Sequence, residues 1–398
     1  MGSDMEMTLY AVFTVFCFLA PSVTNKLGTR FTMFLGVLGY AALVAASLVY
    51  LLGLVGRWLV ILGGAVNGVG AAFMWTAQGR LMLQYSDGTD SGRIFAIFWS
   101  IFNLSAVLGG ILLFAYFLST SSSGDWSLYA VFLGLILTGA CGTLMLLPPE
   151  KVKRGKEEPL LTEDLEPSSA VVVEAEISTL PWWEELVETL KLFRTEYMAR
   201  LFIIFFYTGF NQPYQLVTFG NRFFTESTLG LMLSLFYTFE LIGAYVSARI
   251  VDGSPGRQAA VRGYSLFFLV TTLGYICALW LESQEAHHPE DIDNRGTVAL
   301  VLPGALAMAF WGFSDSQIQA LAYWQLGQEY STGTDQSRAV GFYKMVQSAG
   351  WCLGFALSPT KRLAPILQLT ATAACYIVGV ALVRFPGKRP NQVPMADP

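Results

Sequence analysis

A chain of 398 residues in which 54% are hydrophobic and only 13% charged, with a mean hydropathy of +0.50, is built for lipid rather than for water. Its net charge of -5 comes with no basic stripe, which excludes nucleic acid as a partner. The 2 histidines, His287 and His288, share an acidic loop, and the 5 cysteines lie singly inside apolar segments, so neither a metal centre nor a disulfide framework is expected. No nucleophile with a spaced base and no phosphate-cradling loop is visible, so the chain reads as a non-enzyme without a cofactor.

The first seven residues are acidic and lack the basic stretch and small-residue cleavage site of a secretory signal, so the first span is expected to act as a signal anchor. Apolar runs of about 20 residues can cross a bilayer as helix. Eleven such spans are predicted: 8–24, 31–51, 58–79, 94–118 and 127–147, then 197–217, 228–250, 262–282, 297–320, 338–358 and 364–384. They define a first bundle (1–147), a linker (148–196), a second bundle (197–384) and a tail (385–398). The fold class expected is all-α and polytopic, with the lipid bilayer as its surroundings.

An internal repeat relates the two bundles. Tyr85 to Arg93 reads Y-S-D-G-T-D-S-G-R and returns 245 positions later as Y-S-T-G-T-D-Q-S-R, Tyr330 to Arg338, with six of nine residues identical. So long a period marks two copies of a large unit. Three spans precede the first copy, whereas four stand between the linker and the second. By that count, the counterpart of one helix is expected to be missing from the first bundle. A bundle lacking it is expected to open sideways between the segment Leu9 to Pro21 and the span from Ile94. This chain alone would then not hold a solute gradient unless a longer isoform or a partner filled the groove.

Eighteen of the 24 Lys and Arg residues fall in one set of loops, which places the linker, both repeat loops and the tail in the cytosol. Within the linker, Pro181 opens a helical pattern over 181–196 in which Trp183, Val187, Leu190 and Phe193 form an apolar stripe, with Glu184, Glu185, Glu188 and Lys191 largely elsewhere. That pattern predicts a helix lying at the cytosolic interface, with its tryptophans at headgroup level. The acidic part before it reads as a disordered connector.

Two helical halves joined by a long cytosolic loop resemble the major facilitator superfamily. N-G-V-G-A-A-F-M-W-T-A-Q-G-R (Asn67 to Arg80) and W-G-F-S-D-S-Q-I-Q (Trp311 to Gln319) narrow the resemblance to the uncoordinated-93-like family, in its fungal branch. The resemblance implies a potassium-channel regulator, a trafficking chaperone of membrane receptors, or a transporter. The superfamily's loop signature is similar to P-S-V-T-N-K-L-G-T-R, Pro21 to Arg30, where Asn25 stands in place of the expected acid while Gly28 and Arg30 fit. The second half keeps an acid at Asp252, followed by Gly256 and Arg257.

Polar groups inside a membrane must face the bundle interior or water. Asp315 and Gln319 share a helical face, as do Lys344 and Gln347, while Glu240 lies mid-span. Asn67 and Gln78 occupy a third face, Asn103 a fourth, and Asn211, Gln212 and Tyr214 follow in the sixth span. Together they outline a candidate polar cavity between the halves, with Glu240, Asp315 and Lys344 as coupling residues. The plainer alternative is that Lys344 pairs directly with Asp315 or Glu240 and fixes helix packing. Asn25, Arg30, Asp90, Arg93, Asp252, Arg257, Asp335 and Arg338 outline a candidate cytosolic gate, for which helix capping and positive-inside anchoring are the plainer account. The function expected is secondary transport of an unidentified small solute, the alternative being a non-transporting regulator or chaperone that binds another membrane protein.

Overall fold

The computed structural model describes residues 2–86, 90–119, 126–147, 149, 151–152, 178, 180–254, 256–284, 298–358 and 362–383. The predicted acidic connector, most of the loop bearing both histidines, and the tail lie outside the described residues. Within them the chain is helical throughout. The first half consists of α1 (Gly2–Phe16), α2 (Ala20–Leu27), α3 (Thr29–Leu51), α4 (Trp58–Tyr85), α5 (Ser91–Ser119) and α6 (Trp126–Leu144). The linker supplies α7 (Trp182–Phe193). The second half comprises α8 (Glu196–Gln212), a π-helical turn (Pro213–Phe219), α9 (Gly220–Phe223), α10 (Glu226–Asp252), α11 (Gly256–Glu282), α12 (Val298–Glu329), α13 (Gly333–Leu357) and α14 (Pro365–Leu382).

Local chemistry sets several of the boundaries. The Thr332 hydroxyl accepts from the Asp335 amide at 3.2 Å and caps α13, while Thr195 accepts from Met198 at 3.4 Å and caps α8. Gly28 turns the chain from α2 into α3 at φ 78°, a left-handed conformation that a side chain would strain. Pro21 and Pro365 occupy first-turn positions, where a missing amide hydrogen costs nothing.

Helices occupy all eleven predicted spans. Seven of them are long and apolar enough to cross a membrane, or eight if α1 and α2, bent by 61°, form one span. The segments that fall outside this group, α8, α12 and α13, are those that carry Asn211, Gln212, Asp315, Gln319, Lys344 and Gln347. Their interior polar residues lower the hydropathy of helices that the bundle encloses. Outward-facing positions are apolar instead, with Val15, Ile101, Leu135 and Leu231 each more than 58% exposed. This distribution, polar within and apolar without, is that of a multi-pass integral membrane protein.

The halves meet along two seams. α1 packs against α13, with the Tyr10 ring stacked on Phe355 and the Thr14 hydroxyl donating to the Ser348 hydroxyl at 3.0 Å. α5 packs chiefly against α10 across the second seam. The linker helix α7 then closes one end, resting on α2, α8 and α13. Phe193 of α7 lies edge-on to Phe18 of the first half and to Phe342 of the second. The orientation of α7 corrects the expected pattern: Glu185, Thr189 and Leu192 face the bundle, while Trp182, Trp183 and Leu190 point outward. Glu185 turns inward because Arg338 of α13 and the Asn25 amide of α2 meet it there, and a charge partner outweighs the apolar stripe.

Candidate functional site

Three charges are enclosed in the helical interior. Glu240 on α10, Asp315 on α12 and Lys344 on α13 are 2%, 1% and 2% exposed. Their surroundings follow from how α8 ends. Pro213 withholds an amide hydrogen, the ladder widens into the π turn, and Asn211 and Gln212 sit at the break. α8 and α13 approach closely here because Gly209 and Gly350 lack side chains: a Cβ on either would strike a carbonyl, that of Gln347 or of Phe206.

Asp315 is held entirely by amides. Its Oδ1 accepts from Asn211 Nδ2 at 3.4 Å, and its Oδ2 accepts from Gln212 Nε2 at 3.1 Å and Gln319 Nε2 at 2.9 Å. Gln319 Oε1 in turn accepts from Gln347 Nε2 and from the Tyr343 hydroxyl, both at 3.3 Å. Gln347 Oε1 accepts from Lys344 Nζ at 2.8 Å. The ammonium also lies over three ring faces, 4.9 Å from the centroid of Trp75, 5.3 Å from Tyr323 and 4.7 Å from Tyr343.

The expected direct ion pair of Lys344 with Asp315 or Glu240 is therefore not formed. Lys344 folds back onto Gln347, one turn along its own helix, and the rings of α4, α12 and α13 fill the remaining space. Glu240 finds its donor across the seam instead: its Oε2 accepts from Trp99 Nε1 on α5 at 2.8 Å, with Asn103 beside it. Trp351 Nε1 donates to Gln212 Oε1 at 2.9 Å and packs on Tyr10, which ties the cluster to the first half. Tyr214 lies apart, edge-on to Trp311. Asn67 and Gln78 are buried on α4 without a described contact to the cluster, Gln78 Nε2 reaching only the Met82 sulfur at 3.9 Å.

A second buried network closes the linker end. Asn25 Oδ1 accepts from Arg80 Nη1 at 2.9 Å and from the Ser337 hydroxyl at 2.5 Å. Asn25 Nδ2 donates to Glu185 Oε1 at 2.6 Å, and the same oxygen accepts from Arg338 Nε at 3.0 Å and Nη2 at 2.8 Å. Arg338 also pairs with Asp335 at 2.8 Å. Across the pseudo-equivalent seam, the Asp252 carboxylate accepts from the backbone amides of Gly92 and Arg93, both at 2.8 Å, and so caps α5. Asp90 accepts from the Ser86 hydroxyl at 3.1 Å. Arg30 and Arg257 stand outside this network among the described residues, and the Arg93 side chain is exposed.

Trp99, Tyr323 and Tyr343 were invisible to a search for polar residues, because a transmembrane aromatic reads as lipid-facing or packing. Glu185 read as an outward-facing acid of the interface helix, and Arg80 as a loop charge. Their convergence on Asn25 has no local signal, since 55 and 160 residues separate them from it.

The fold has counterparts among solved structures. The human organic anion transporter MFSD10 (TETRAN) superposes with a TM-score of 0.61 at 16% identity, covering 96% of this chain and 83% of its own. The E. coli fucose:proton symporter FucP does so with a TM-score of 0.61 at 15% identity, covering 97% and 90%. These likenesses show the fold, that of the major facilitators. In sequence, an UNC93-like protein of Schizosaccharomyces pombe is 28% identical over 403 residues, which span 97% of this chain and 75% of the relative. The model of the ion channel regulatory protein UNC-93 family matches residues 5–383, and the chain belongs to that family.

Proposed function

We propose that this protein is a secondary carrier of a small solute, working by alternating access and coupled to a proton or another cation. The observation that supports the reading most is the enclosed Asp315, set between helices of the second half and held by three neutral amides. With Glu240 the interior holds two carboxylates against one ammonium, and a lone enclosed charge is costly. A proton, or a cationic group of a solute, would balance it. The amides of Asn211, Gln212, Gln319 and Gln347 can each exchange an internal hydrogen bond for one to a polar solute at little cost. The charge distribution of the loops supports a cytosolic linker end.

The test is proton flux in proteoliposomes carrying a pH dye, challenged with a panel of organic anions and sugars. On the carrier reading at least one solute drives flux that saturates, with a partner present where the groove expected in the first bundle has to be filled, and Asp315→Asn loses at least about 90% of the coupling. A panel without response in folded, oriented protein counts against the carrier reading.

A second reading, a regulator that binds another membrane protein, is favoured by the description of the family as ion channel regulatory. Capture of a specific channel or receptor by protein that moves no solute would support it.

A further inference from the structure

The linker-end network contains two arginines from different halves: Arg80 donates to the neutral side chain of Asn25, and Arg338 donates to the same Glu185 oxygen to which Asn25 donates. Its fully buried carboxylate comes from neither half. It is Glu185, on the linker helix, which is 0% exposed. The other seam shows what a self-contained arrangement looks like. There Asp252, at the end of α10, delivers a carboxylate directly to the start of α5 at Gly92 and Arg93. The residues 245 positions further on, Ser337 and Arg338, lie in the second turn of α13; from α2, Asn25 accepts from the Ser337 hydroxyl, while Arg338 donates to Glu185.

We propose that Glu185 is a positioning residue supplied in trans by the linker: it takes the role on this seam that Asp252 fills on the other, so that α7 is a removable bolt holding the linker end closed. The bolt is strapped as well as charged. Ser178 donates its backbone amide to the Asn25 carbonyl at 2.6 Å and its hydroxyl to Glu185 Oε2 at 3.0 Å, while Lys26 donates to the Ser178 carbonyl at 3.0 Å. If α7 leaves, Arg338 loses its buried partner at the junction of the halves. The guanidinium then recovers solvation by separation of α2 from α13, which opens that end. Docking of the linker and closure of the end are one equilibrium, biased by a single carboxylate. The gating role rests on the alternating-access reading, but its test needs no solute.

Leu83 of α4 is buried against α12 near Gly327 at the same end. Leu83→Cys, in a full-length background with the native cysteines replaced, reports opening through its alkylation rate. Glu185→Gln is expected to raise that rate by at least about tenfold, as loss of one partner of a buried pair shifts a two-state balance. Glu184→Gln, on the exposed face of the same helix, should leave it unchanged. Asn25→Asp combined with Glu185→Gln returns a carboxylate to α2, within reach of Arg80 and Ser337, and should restore slow alkylation. Folding is followed in parallel by thermal unfolding, and a double variant that folds where Glu185→Gln alone does not also supports the proposal. Wild-type alkylation in folded Glu185→Gln, or a double variant no slower or no better folded than the single, overturns it. Absence of transport with these shifts intact would instead sink the carrier reading alone.

Discussion

Lys344 and Asp315 are joined through two glutamines: Lys344 to Gln347 at 2.8 Å, Gln347 to Gln319 at 3.3 Å, and Gln319 to Asp315 at 2.9 Å. A direct pair would lock two helices with a strong, localised contact. A relay of amides spreads the attraction over α12 and α13, and each link is a neutral or singly charged hydrogen bond that a solute or water can replace. The ammonium and the carboxylate therefore sense each other while leaving the space between them exchangeable.

The relay predicts coupling without contact. Lys344→Met should lower the thermal stability of detergent-purified protein by about 2–4 kcal/mol, and Asp315→Asn in the same chain should recover about 1 kcal/mol of it. Strict additivity of the two single changes would show that the relay carries no interaction.

Breaking a link should cost less than removing a charge. Gln319→Leu strips Asp315 of its shortest amide contact and leaves Gln347 Nε2 without that acceptor, so a loss of about 1–3 kcal/mol is expected. Gln319→Glu, nearly isosteric but adding a carboxylate beside Asp315, should be worse than Gln319→Leu. Melting curves of the two variants settle the order.

The bond from Trp99 to Glu240 spans the α5 and α10 seam. Trp99→Phe keeps most of the ring packing and removes the donor, so it should cost about 1–3 kcal/mol, whereas Trp99→Phe on a Glu240→Gln background should cost about 1 kcal/mol or less. An equal cost in both backgrounds would mean that ring packing, not the hydrogen bond, matters at this seam.

Asp252→Ala removes two amide contacts at the start of α5. A loss of about 1–2 kcal/mol is expected, with hydrogen exchange rising at Gly92 and Arg93 before it rises elsewhere. Asp252→Asn should retain about half of the stabilisation, because an amide oxygen still accepts one of the bonds.

Topology follows from the loop charges. Cysteines at Ser168 and at Ser283 are expected to lie on opposite sides of the membrane, so an impermeant thiol reagent added to intact cells should label Ser283→Cys and spare Ser168→Cys. The reverse pattern would invert the orientation.

The sequence by itself determined the spans, their order and the duplication, because each rests on a local quantity. The length of an apolar run is fixed by bilayer thickness, and Tyr85 to Arg93 and Tyr330 to Arg338 share six of nine residues in register. It also marked Asp315, Gln319, Lys344 and Gln347 as sharing helical faces, since the period of the helix follows from the backbone alone. What it left open was which faces meet. Lys344 folds onto its own helix and under three aromatic rings because α4, α12 and α13 converge there, and α8 delivers amides to Asp315 only because Gly209 and Gly350 let α8 and α13 touch. Glu185 looked like one more solvent-facing acid on an amphipathic helix. Only the tertiary structure turned it inward, because the groups that hold it, Asn25 and Arg338, belong to segments 160 and 153 residues away, and complementarity over such separations leaves no periodic trace in the chain.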